Sequence, residues 1–226
     1  MADRFGEGDS ALARYATLFD SVEINSTFHR PHQPKTFERW TASVPADFRF
    51  ALKLPKTTTH GARLVECADA VAAFAEQIAP LGDKIGPLLV QLPPSLAFDA
   101  SVAGAFFAGM RRRFGDRPIV CEPRHASWFA SDAEQLLVDH RVARVAADPA
   151  PASGAERPGG WSGLRYIRLH GSPRIYRSSY DDATLDRIAE EAMAERVDRW
   201  IVFDNTASNA AMINALDLRD RVLRVS

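Results

Sequence analysis

Short, apolar, β-rich runs recur along this chain at 20–28, 48–55, 84–92, 117–123, 141–149, 163–171 and 198–205, and stretches of helical spacing separate most of them. The helical stretches carry Phe37, Trp40 and Val44; Val71, Phe74, Ala75 and Ile78; Val102, Phe106 and Met110; and Leu185, Ile188 and Ala192, each set lining one helix face. Strands that are nearly continuous in apolar residues and alternate with helices belong in a parallel sheet covered on its faces, which leaves a TIM-type barrel or an open doubly wound sheet.

Helix signals fit this alternation. Asp99 and Asp181 stand where N-caps belong, Pro34 suits a first helical turn, Cys67 reads as a helix start, and Ser131 with Glu134 has the spacing of a capping box ahead of Leu136 and Leu137. Two segments depart from the repeat. The Pro-, Ala- and Gly-rich stretch 150–160 reads as a surface loop where a helix is expected. A helix at 10–19 has no strand before it, so seven strands are recognisable and an eight-stranded barrel would lack its first. The edge left open, on 20–28 or 198–205, could pair with a second copy of the chain.

At 226 residues the chain suits one α/β domain over its whole length, since barrels of this class run to about 250 residues. A net charge of -1 supplies no global positive field for phosphate backbones, which argues against nucleic acid as a partner. Cys67 and Cys121 have neither the spacing of a disulfide framework nor that of a zinc site, as expected for reduced thiols in a cytoplasm. No apolar run approaches the roughly 18 residues of a membrane span, so no membrane association is expected.

The polar residues in the strands fall into register. Residues two apart share a strand face, which groups Glu23 with Asn25, Ala51 with Lys53, Leu89 with Gln91, Glu122 with Val120 and Arg124, Ala146 with Asp148, Arg168 with His170, and Val202 with Asp204. The opposite faces, such as Ile119 and Cys121 or Ile167 and Leu169, are apolar and belong against helices. Buried charges are costly unless paired, so seven strands ending in polar groups point to a site at the carboxyl ends, where α/β folds bind ligands. Glu122, His170, Asp204 and Lys53 are the candidate catalytic residues. Lys53 could form a Schiff base with a carbonyl substrate, or a salt bridge with Glu23 or Glu122.

The carboxylates together with His170 could hold a divalent cation, although no short ligand motif is present. His60 and His125 lie just beyond strands, where loop or capping roles are common. After the sixth run come Gly171, Ser172, Pro173 and Arg174, then Tyr176, Arg177 and Tyr180, a Gly-Ser turn with arginines near the position where barrel enzymes bind phosphate.

Read as segments, FDSVEINSTFHRP, DFRFALKLPKTTTH, LGDKIGPLLVQLPPSLAFD, CEPRHASWF, RVARVAADP, YIRLHGSPRIYRSSYD and IVFDNTA resemble the domain of unknown function 72 family over nearly the whole chain. The resemblance implies a TIM-barrel fold and supplies no substrate. Its recurring elements fall on Glu23 and Asn25, Lys53, Gln91, Glu122 with Arg124 and His125, Arg168 with His170, and Asp204 with Asn205. The chain departs from the family pattern at its start, where a glycine-rich strand is usual.

The leading expectation is an enzyme performing acid/base chemistry on a small polar substrate, sugar-like or phosphorylated. Glu122, His170, Asp204 and Lys53 would act on it, while Glu23, Asn25, Gln91, Arg124, His125, Asp148, Arg168, Arg174, Tyr176 and Asn205 would bind it. The alternatives are a metal-dependent phosphodiester-cleaving barrel acting on nucleic acid and a non-catalytic barrel that binds a ligand or partner.

Overall fold

The structure, a computed structural model, describes residues 4–194 and 197–225. Two compact units divide the chain: Met1–Pro93 with Asp99–Val120, and Pro94–Phe98 with Cys121–Ser226.

In the first unit, helix α1 (Ala11–Tyr15) is capped by the Ser10 hydroxyl, which accepts from Ala13 N; it is shorter than the 10–19 stretch suggests. Strand β1 (Ser21–Ile24) ends early, because the last part of the 20–28 run turns into the short helix α2 (Ser26–His29). Helix α3 (Pro34–Ala42) begins on Pro34, whose fixed φ and missing N–H suit a first turn. Strand β2 (Arg49–Lys53) pairs parallel with β1, from Ser21 opposite Arg49 to Ile24 opposite Leu52.

Helix α4 (Ala68–Ile78) begins after Cys67, and strand β3 (Ile85–Gln91) pairs parallel with β2 across an irregularity between Phe50 and Leu52. Helix α5 (Ala100–Phe114) is capped by Asp99, whose carboxylate accepts from Ser101 N and Val102 N. Phe37, Phe48 and Phe50 are almost completely buried here. Each such ring contributes about 1.5–3 kcal/mol by leaving water.

Strand β4 (Ile119–Glu122) lies where the chain passes from the first unit to the second. In the second unit, helix α6 (Ser131–Asp139) overturns the capping-box expectation. Ser131 is already helical, Ala130 occupies the cap position and has no side chain to cap with, and Asp132 Oδ1 accepts from Ala133 N instead. Glu134 turns instead to a stronger partner, accepting from the buried Arg144 Nε at 3.0 Å and from Gly160 N at 2.5 Å. A guanidinium that has lost its water needs an anion more than a helix end, still open to solvent, needs a cap.

The run 141–149 is two strands, β5 (Val142–Arg144) and β6 (Ala146–Asp148), interrupted at Val145, whose N–H donates to Cys121 O. The expected loop 150–160 ends in a two-residue strand, β7 (Gly159–Gly160), antiparallel to β5. Strands β8 (Arg165–Leu169) and β9 (Arg199–Phe203) continue a parallel sheet from β6. Helix α7 (Asp182–Met193) starts on the predicted Asp181 cap, which accepts from Thr184 N. Helix α8 (Ala210–Val225) closes the chain and was not anticipated from spacing.

The parallel α/β reading therefore holds within each unit. The described pairings fall into more than one sheet, and no closed ring of strands is among them. Among the described residues no helix is long and apolar enough to cross a membrane.

Candidate functional site

Side-chain alternation builds the second unit's site. On β8 and β9, Ile167, Leu169, Ile201 and Phe203 pack with Leu185, Ile188 and Ala189 of α7 and Leu218 of α8. The intervening Arg168, with His170 and Asp204 just beyond the strand ends, faces the other way and meets Glu122, the last residue of β4.

Four side chains there form a closed circuit. Arg168 donates through Nη1 to Glu122 Oε2 at 2.5 Å and through Nη2 to Asp204 Oδ2 at 3.0 Å. His170 Nε2 lies 3.2 Å from Glu122 Oε1, and Nδ1 lies 3.1 Å from Asp204 Oδ2. Arg124 adds a fifth member, donating to Glu122 Oε1 through Nη2 at 3.1 Å and Nε at 3.3 Å. The Arg168 and Glu122 side chains are 0% and 1% exposed, against 17% for Asp204 and 25% for Arg124, so the circuit has a sealed side and an accessible side.

This geometry shifts the protonation equilibria of its members. Burial by itself would raise the Glu122 pKa, but Arg168, the His170 hydrogen bond and Arg124 outweigh it and hold the carboxyl well below its usual range. Burial likewise disfavours a charged His170, yet its hydrogen bonds to Asp204 and Glu122 prevail and raise its pKa. An imidazole with a carboxylate against each nitrogen is satisfied only when both nitrogens carry protons. With His170 as imidazolium, three cations face two anions and the cluster carries one net positive charge.

The segment after β8 leans on this cluster. Gly171 has φ +92°, and a Cβ there would stand 2.8 Å from Ser178 O, so no other residue fits without strain. Gly171 N donates to the Tyr180 hydroxyl, which donates to Asp148 O. Tyr176 N donates to His170 O, and the Tyr176 ring stands edge-on to the imidazole at 5.9 Å. Asn214 of α8, buried and unmarked by any motif, ties this segment down: its Oδ1 accepts from Tyr180 N and Asn205 Nδ2, and its Nδ2 donates to Tyr180 O. Sequence reasoning missed it because α8 itself was not foreseen.

The structure thus brings Glu122, Arg124, Arg168, His170 and Asp204 together, with Tyr176 beside them. Asp148 contributes a carbonyl, which accepts from His170 N at 2.7 Å. Asn205 is fully buried and donates to Ser178 O, a loop-holding role. His125 caps the turn Ala126–Phe129, accepting from Ser127 N. Arg174 and Arg177 are exposed and take no part in the circuit.

Glu23, Asn25, Lys53 and Gln91 lie in the first unit. Glu23 is half-buried in β1, and Asn25 occupies the N-cap of α2 without a side-chain cap bond. Gln91 ends β3, buried. Lys53 is buried, its Nζ 4.1 Å from the Phe28 ring centroid in cation–π contact. Among the described residues no three His, Cys, Asp or Glu side chains gather as ligands for a metal ion. Both Glu122 oxygens already accept from arginine or histidine.

Parallel strands covered by helices, with a charged cluster at strand ends, define the chain as an α/β protein. Residues 4–225 match the family described as Protein of unknown function DUF72, and the chain belongs to that family. It is 32% identical over 153 residues to UPF0759 protein YecE of Escherichia coli (strain K12), covering 66% of this chain and 56% of that protein. To the protein of the same name in Escherichia coli O157:H7 it is 27% identical over 208 residues, covering 85% and 76%. The chain thus spans little more than half of the first relative's length.

Two solved structures share the fold. A DUF72 family protein (EF0366) from Enterococcus faecalis V583 superposes with a TM-score of 0.80 at 22% identity, covering 96% of this chain and 94% of that one. Another (TM1631), from Thermotoga maritima MSB8, does so with a TM-score of 0.76 at 24% identity, covering 93% and 87%.

Proposed function

We propose that this protein is an enzyme of acid/base chemistry acting on a small polar, anionic substrate, sugar-like or phosphorylated, at the second unit's charged cluster, and that residues 1–226 form one domain of TIM-barrel type. The observation that carries this reading is a single imidazole held at both nitrogens by carboxylates, one of which, Asp204, stays partly open to solvent. A histidine whose hydrogen bonds to Asp204 and Glu122 raise its pKa keeps its proton to higher pH than a free imidazole does, which suits an acid role. Because Glu122 and Asp204 occupy both ring nitrogens, the proton travels through Asp204: His170 Nδ1 passes it to the partly exposed carboxyl, which donates it to the substrate, and the proton released later returns to Nδ1 by the same route. Arg124, the accessible cation, fixes the anionic group of the substrate beside Tyr176, while the sealed pair Glu122 and Arg168 keeps the imidazole oriented. A carboxylate saturated by two arginines and a histidine is too weak a base to take the proton itself, so Glu122 positions and His170 transfers.

The same reading places the protein in the cytoplasm, where the free, buried thiols of Cys67 and Cys121 stay reduced. It also lets β1 or β9, each paired on one side only among the described residues, accept a strand from a second copy.

A panel of sugar phosphates with inorganic phosphate, screened by thermal shift, tests the proposal. A ligand at about 100 times its Kd adds about 2.7 kcal/mol and should raise Tm by several degrees. Arg124→Ala should lose that shift. A hit is then followed by 31P NMR for turnover. Binding without turnover would favour a ligand-binding protein over an enzyme, and a shift that survives Arg124→Ala would move the site elsewhere.

A further inference from the structure

The first unit holds a cavity of about 680 Å³, within the usual range for small-molecule sites. Its walls come from α2 and the two residues after it, from the segment after β2, and from one face of α4. Phe28, Pro31 and Phe74 supply an apolar body, and the exposed Arg30 and Lys56 stand on it. Among the described residues, none that lines it is acidic. An apolar interior edged by cations and free of carboxylates favours an anion with a flat apolar body, because nothing in the wall repels the charge and the rings offer stacking area.

Two further observations mark the same wall. Residues Thr57–Gly61 form a π-helical turn, a rare arrangement that is frequent at functional sites, and Arg63, Leu64 and Glu66 directly after it all have positive φ. Within the turn, Thr58 lines the cavity and is 1% exposed, yet its hydroxyl oxygen has no hydrogen-bond partner among the described residues. A buried hydroxyl without a partner is a cost that native folds seldom leave in place without a use.

We infer that this cavity is a binding site for an aromatic carboxylate, separate from the Glu122–His170–Asp204 cluster, with the ring system against Phe28 and Phe74 and the carboxylate met by Arg30 and Lys56. The inference does not depend on the catalytic proposal.

Titration of the full chain with 2-naphthoate, followed by 15N NMR, tests it. Saturable binding at or below about 1 mM is expected, with shift changes concentrated at residues 27–31, 55–61 and 70–77. The neutral 2-naphthamide should bind about tenfold more weakly, as should 2-naphthoate to the Arg30→Glu, Lys56→Glu double variant, because both substituted side chains are exposed and their loss spares the core. Ala73→Trp, which fills the cavity from the exposed face of α4, should abolish binding. No saturable binding, equal affinity for naphthoate and naphthamide, an unchanged double variant, or shift changes confined to other residues would each overturn the proposal.

Discussion

The second unit's charged cluster and the first unit's cavity handle polar groups in opposite ways. In the second unit, Glu122, Arg168, His170 and Asp204 satisfy one another in a circuit sealed on one side. In the first, Arg30 and Lys56 stand exposed around an apolar cavity, and the buried Thr58 hydroxyl lacks a partner. The contrast separates two uses of polarity. A closed network shifts protonation equilibria and fixes geometry at the price of fragility, whereas an open cationic edge tolerates change and can attract a ligand.

The hardest test of that contrast is Glu122→Gln. Removing the charge leaves the fully buried Arg168 facing a neutral amide in place of its nearest anion, and a broken buried ion pair costs about 3 to 5 kcal/mol. Urea denaturation should show a loss of that size, and one below about 1 kcal/mol would mean that water reaches the cluster and that it is not sealed.

Gly171→Ala probes the loop that leans on the same network. The positive φ and the approach to Ser178 O should cost about 1–3 kcal/mol, read as a lower urea midpoint. An unchanged midpoint would show the loop free to rearrange, and the network less closed than its distances imply.

The pH dependence of stability should divide between the members. The His170 pKa is raised in the fold, so its contribution is complete below 6.5 and fades as pH rises through the folded value. Glu122 is depressed, so its contribution is complete above 4.5 and is lost as pH falls through its lower folded value. Calorimetric Tm measured across pH should therefore decline on the alkaline side of 6.5, and His170→Gln should flatten that limb while retaining the acid one. An alkaline limb unchanged in the variant would assign it to another group.

The smallest effect is expected in the first unit. Thr58→Val removes a hydroxyl that makes no hydrogen bond among the described residues, so stability should stay within about 0.5 kcal/mol or rise. A loss above about 1 kcal/mol would reveal a partner for that oxygen and erase the difference between the two regions.

Local rules held where a feature depends on near neighbours. The Asp99 and Asp181 caps, the Pro34 start, and the alternation that turns Ile167 and Leu169 toward helices while Arg168 faces the other way all follow from residues within a turn or a strand step. They failed where a distant partner competed. Glu134 left its capping box for Arg144, the run 20–28 bent into α2 after Ile24, and the run 141–149 broke at Val145, whose N–H goes to Cys121 O. The role of Asn214 was invisible because it bonds to residues about 35 positions away, in a helix whose spacing carried no clear signal.

By itself, then, the sequence determined the parallel α/β class, the strand faces and the set of polar residues at the strand ends, because the period-two and period-3.6 rules act over a few residues and depend little on the rest of the chain. Only the tertiary structure decided which of those residues meet, that Glu122 is sealed while Asp204 and Arg124 stay accessible, and that His125 and Asn205 serve loops. Pairing and desolvation depend on which segments the fold brings within about 3 Å, a distance that no spacing along the chain encodes.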